Sequence, residues 1–195
     1  MDTEEQMKLV PLKKYVMYAL ALLSSSGHSF AQNVLAPEAQ TGQSRNTLAL
    51  FAASVGVRQC LPALTALSAL GIRDTRNNDV LLDWDRTRPA SSPVFSLIGL
   101  EYPTDNATMS VTAVPESDGS CSVSAERISF APITCKLVAR KELPGYQAAQ
   151  LLHRMMVYTD AHDPGSSVSL IDSSSGCLVI RRYVKFSLLM PVTGK

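Results

Sequence analysis

Apolar residues recur at helical spacing through "NTLALFAASVGVRQCLPALTALSAL", Asn46 to Leu70, at Leu48, Phe51, Val55, Cys60, Leu64 and Leu67. This is the period that lays one side of an α-helix against a core. Gly56 and Pro62 interrupt the run; proline has no amide proton for a helix interior and its ring crowds the preceding turn. The pattern therefore predicts a kinked helix or a pair of short ones. Gly71 is the expected terminator, since glycine readily takes the left-handed conformation that closes helices. Arg58 is the one charge between Asn46 and Leu70, and the many alanines permit close approach to a second surface, so burial against a sheet is expected. The other reading is an exposed surface that fills a partner's groove, with Leu48, Phe51, Val55 and Leu64 as contacts.

Downstream the pattern changes to short apolar runs separated by turn residues. Val80 to Trp84 follows Asn77-Asn78, Val94 to Tyr102 follows Pro93, and Thr108 to Val114 follows Asp105-Asn106; all three read as strands. Asp118-Gly119 supplies the positive dihedrals of a tight turn, joining Met109 to Val114 with Cys121 to Phe130 as antiparallel neighbours. After Gly145, "YQAAQLLHRMMVY" carries Ala148, Leu151, Leu152, Met155 and Met156 as an apolar stripe, which predicts a later helix. Val168 to Ile171 and Leu178 to Phe186 then flank Ser173-Ser174-Ser175-Gly176 as a second hairpin. The order implies an α+β fold: a mainly antiparallel sheet of about five to six strands, with the helices on one side of it. A single domain over 46–190 and a short tail at 191–195 complete this reading.

The amino end has a different pattern. Lys8, Lys13 and Lys14 precede an apolar run from Tyr15 to Leu23, and small polar residues follow up to Ser29-Phe30-Ala31. That order is the layout of a secretory signal peptide. The run is far shorter than the ~20 residues that cross a bilayer, so no membrane span is expected after cleavage. Cleavage is placed after Ala31, and the three acids of the leading MDTEEQ mark Met7 as the expected start. Residues 32–45 read as a flexible leader, being short of apolar periodicity.

Removing 1–31 leaves 164 residues, ample for one core. The formal charge of +1 lacks the cationic excess that nucleic acid or an anionic membrane would call for. Four cysteines remain, Cys60, Cys121, Cys135 and Cys177, an even count that in an exported chain points to two disulfides. The absence of a Cys-x-x-Cys spacing disfavours zinc and thioredoxin-like chemistry. Three pairings are open; the expected one is Cys121 with Cys135 and Cys60 with Cys177.

Candidate chemistry is sparse. There is no Gly-x-Ser-x-Gly elbow, no phosphate-cradling loop and no zinc-binding His-Glu-x-x-His helix. Asp160, His162 and Asp163 in "YTDAHDPGSS" offer two carboxylates and an imidazole, although Asp, Pro and Gly are also what a solvated connection requires. His153 reads as an edge residue and Arg181-Arg182 as a solvated strand end. Asp83 and Asp85 alternate about Trp84, which would set both acids on one strand face. Trp84 is either a core residue or an anchor for a partner, as tryptophan is at interface centres. Asn106-Ala107-Thr108 fits a glycosylation acceptor and matters only in a host with an endoplasmic reticulum. The expectation is an exported periplasmic or secreted protein without cofactor or metal, not an enzyme, that binds another envelope or secreted protein. The alternatives are a small hydrolase or metal-dependent enzyme using the 160–163 loop, and a ligand carrier, which would need a cavity of several hundred cubic ångströms.

Overall fold

Alternation of apolar and polar side chains puts every second residue of a strand on the same face, and here it builds one large sheet with one face toward the helices. The computed structural model describes residues 45–189, and contacts group all of them into one compact unit. The expected signal peptide, leader (except Arg45) and tail lie outside the described residues. In chain order the elements are α1 (Thr47–Ser54), α2 (Leu61–Gly71), β1 (Asn77–Trp84), β2 (Val94–Glu101), β3 (Asn106–Pro115), β4 (Cys121–Ala131), α3 (Cys135–Glu142), β5 (Gln147–Leu152), β6 (Met155–Thr159), β7 (Ser166–Ser173) and β8 (Gly176–Leu188).

The eight strands form one sheet in the order β1-β2-β3-β4-β8-β7-β6-β5, and every neighbouring pair is antiparallel. Among the described residues the fold is thus α+β with three helices and a sheet larger than the five to six strands expected. The chain lays down β1 to β4 as one meander and passes through α3 to the far edge. A second meander, β5 to β8, then brings β8 back against β4.

The Asn46 to Leu70 segment forms two helices. Asn46 caps α1, its side chain accepting a hydrogen bond from the Ala49 amide at 3.0 Å, which satisfies one of the donors a helix start leaves free. Gly56 turns the chain at φ +93°, and Pro62 stands in the first turn of α2, where its missing amide proton costs nothing. Gly71 does not have the expected role. It belongs to the last turn of α2, and its lack of a Cβ makes room for Met109, whose sulfur would stand 2.2 Å from one.

Leu48 and Ala52 of α1 and Ala63, Leu64 and Leu67 of α2 pack on Val94, Ile98, Met109, Val111 and Val123 of the sheet. A second, smaller core lies on the same face of the other meander, where Cys135, Val138 and Leu143 meet Val168, Leu170, Cys177 and Val179. Strand register establishes the shared face: Ile98 pairs with Met109, Met109 with Arg127, Arg127 with Arg181 and Arg181 with Val168.

Two corrections concern the second half. The "YQAAQLLHRMMVY" stripe is not a helix but the β5–β6 hairpin, turning at His153-Arg154. Its apolar spacing suits a helix, yet β7 has an outer edge of backbone donors and acceptors that β6 pairs from Met155↔Ile171 to Thr159↔Ser167, and leaving backbone groups unpaired is costly. An irregularity between Gln150 and Leu152 accompanies two adjacent exposed leucines, Leu151 and Leu152. The later helix is instead α3, capped by Thr134, whose hydroxyl accepts from the Leu137 amide at 3.3 Å.

The expected disulfide pairing is also corrected. Cys60 bonds Cys121 and Cys135 bonds Cys177, with no free cysteine. Cys121 opens β4 while Cys135 lies past its far end, so the full length of that strand separates them. Each bridge instead ties the start of a helix, α2 or α3, to the sheet beneath it.

Candidate functional site

With α1, α2 and α3 all on one face, the opposite face of the sheet is left open by the described residues. Leu81, Phe95 and Leu97 project from β1 and β2, and Ile128 and Phe130 from β4. Leu81, Phe95 and Phe130 keep 69%, 52% and 44% of their surface in water. Their register partners extend the surface. Ile128 pairs with Ile180, and Phe130 with Leu178; Leu178 continues to Ile171 and thence to Met155. Between the two apolar groups runs a polar band of Thr108, Ser110 and Thr112 from β3. Beside it Glu126 is ion-paired to Arg182 at 3.2 Å, both partly exposed. Apolar patches bordered by paired charges and hydroxyls have the anatomy of a protein-binding face.

Arg181 and Arg182 therefore serve different faces. Arg182 belongs to the open face, whereas Arg181 faces the helices and pairs with Glu142 of α3.

Of the partner contacts expected from sequence, Leu48 and Leu64 are fully buried in the core and Val55 packs against it, so the Asn46 to Leu70 segment lies on the sheet. Phe51 and Trp84 meet edge to face, 5.8 Å between ring centres, with Arg86 over the indole at 5.5 Å. Together they form the rim of the core. The signal for the open face was present in the sequence: the alternate positions Leu81, Phe95, Leu97, Ile128 and Phe130 are apolar in strands whose other side is apolar too.

Of the carboxylates considered for catalysis, Asp85, Asp160 and Asp163 are engaged in turns, and Asp83 is exposed on β1. Asp160 accepts from the His162 backbone amide at 2.9 Å, and Asp163 accepts from the Ser166 hydroxyl at 2.5 Å. His162 is exposed. His153 lies in the β5–β6 turn and is exposed as well. Asp83 and Asp85 do not share a strand face, because β1 ends at Trp84 and Asp85 begins the following turn. There it accepts from the Thr87 hydroxyl at 2.6 Å and amide at 2.8 Å, from Arg88 at 3.2 Å and from the Ser92 hydroxyl at 3.3 Å. These bonds, the Thr87 hydroxyl foremost, hold its carboxyl well below the usual range, since hydrogen bonds to the charged form favour it. Asp118 is lowered in the same way by Ser120. No group of three or more potential metal ligands occurs among the described residues. No helix among them is long and apolar enough to cross a membrane.

Comparison of the chain with protein-family models, with curated proteins and with solved structures finds no match.

Proposed function

We propose that this is an exported, non-enzymatic accessory protein of the periplasm or extracellular space that binds another envelope or secreted protein through the open face of its sheet. The observation that carries the reading is the face that the described residues leave open, with Phe95 and Leu97 exposed on β2 and Ile128 and Phe130 on β4, one strand away. Exposed aromatic residues in an apolar patch are the usual energetic centre of protein recognition. Two disulfides, each fastening a helix to the sheet, support an oxidising compartment, and the lysine-led apolar leader supports export. The role would be a secretion component, an envelope complex or the neutralisation of a toxin.

Photo-crosslinkers placed at Phe95 and at Phe130 test the reading, with exposed Lys136 of α3 as a control on the helical side. Adducts with one protein from the two sheet positions, absent from the control and lost on Phe130→Glu in a chain that keeps both disulfides, are the expected result. A native protein that is strictly monomeric and yields no adduct from either position counts against it.

A further inference from the structure

The helical layer is divided, and the gap between its parts is a groove of about 640 Å³ on the side of the sheet opposite the proposed protein-binding face. One wall is α2, presenting Ala66 and Leu70; the other carries Tyr146, and the floor is the seam of β4 and β8 with Arg127 and Arg181 side by side. That size is usual for small-molecule sites.

The floor has an electrostatic peculiarity. Arg127 and Arg181 are direct cross-strand partners, and like charges at such positions destabilise a sheet. Glu142 of α3 neutralises Arg181. Arg127 has no such relief: among the described residues no ion pair is made to it, and its Nε is buried without a hydrogen-bond partner. Its guanidinium is stacked 5.1 Å over the ring of Tyr102, whose hydroxyl in turn donates to the Gly71 carbonyl at 3.0 Å. The cation is thus held in place by an aromatic ring that leaves donors free, in a groove otherwise largely apolar. Asp163, the carboxylate at the groove's edge, is hydrogen-bonded to Ser166.

We infer that the groove binds an amphipathic carboxylate, its apolar body against α2 and its head group on Arg127. An anion there neutralises Arg127 as Glu142 neutralises Arg181, and a guanidinium matches a carboxylate's two oxygens with parallel donors. The apolar wall sets the second requirement, a hydrocarbon body, which excludes acetate and other small anions as adequate ligands. This inference is independent of the protein-binding reading, since it uses the other face of the sheet.

Titration calorimetry of the full chain with decanoate, 1-decanol and acetate tests it. Decanoate should bind, and both 1-decanol and acetate should bind at least about tenfold more weakly, as loss of a charged hydrogen bond or of the apolar body implies. Arg127→Met, which keeps length and removes charge, should cost decanoate about tenfold or more and leave 1-decanol unchanged. Should that variant fail to fold, Leu70→Glu, at an exposed position of α2, places a repelling carboxylate at the wall and should weaken decanoate by a similar factor. Equal binding of decanoate and 1-decanol, or no binding of decanoate at all, overturns the proposal.

Discussion

Two glycines show how the same missing Cβ is worth different amounts. A Cβ on Gly71 would stand 2.2 Å from the Met109 sulfur, and one on Gly176 would stand 2.2 Å from the Ala131 carbonyl oxygen. A methionine side chain adjusts; a backbone carbonyl within a paired strand does not. Gly71→Ala is therefore expected to cost about 1 kcal/mol or less, the overpacking being partly offset by better helix propensity, whereas Gly176→Ala should cost about 3 kcal/mol. Urea midpoints of the two variants check the order, and equal losses would mean that the β8 start yields as easily as Met109. Asp85 gives a pH-dependent counterpart. Its folded-state carboxyl titrates below the ordinary value of 3.8, so its turn bonds contribute stability above that pH, and the contribution is lost as pH falls through the lowered folded value. Asp85→Asn should be less stable than the parent at neutral pH, and the gap should narrow once the pH drops below 3.8. A gap that stays constant on acidification would show that the turn does not depend on the charge.

Among the elements, legibility followed how local the determining interactions are. The β3–β4 hairpin was readable because Asp118-Gly119 specifies its turn by itself, with Asp118 accepting from the Ser120 amide at 2.9 Å. The split of the first helical segment was readable for the same reason, in Gly56 and Pro62. The β5–β6 hairpin was not: Ala148, Leu151, Leu152, Met155 and Met156 fit a helical stripe, and what decides against it is the unpaired edge of β7, a strand that follows them in sequence. Eight residues of α3 are too few for periodicity to stand out, with only Cys135 and Val138 buried, and its amphipathic pattern was lost between Pro132 and Pro144. The cysteine partners depended on where α3 placed Cys135, so an unrecognised helix carried the disulfide pairing with it. At the open face, alternation correctly located the strands, but apolar residues on both sides of β2 and β4 do not say which side the helices cover. The groove was invisible in sequence, because it exists only where α2 and α3 fail to meet over β4 and β8.

The described residues form one sheet carrying two cores of unequal size, nineteen buried residues in the core shared with α1 and α2 against seven in the core shared with α3. Hydrogen bonding runs unbroken from β1 to β5, but side-chain packing does not, because the groove lies between the helical layers. Burial of apolar surface is the main source of stability, so the smaller core has little in reserve and relies more on its covalent tie. Cys135–Cys177 closes a loop of 42 residues and Cys60–Cys121 one of 61, and chain entropy gives each about 4 kcal/mol. Equal contributions to unequal cores should have unequal consequences. In the Cys135→Ser/Cys177→Ser double variant, amides of α3, β5, β6 and β7 should exchange through local opening, as regions of few buried contacts do, while β2 and β3 keep their protection. Removing Cys60–Cys121 should instead lower the protection of the whole sheet, since β1 to β4 hold the core on which every other element is built. Exchange followed by mass spectrometry of peptides from the two meanders distinguishes these outcomes. If the first variant loses protection evenly across all eight strands, the β4–β8 seam transmits stability fully, and the two cores behave as one.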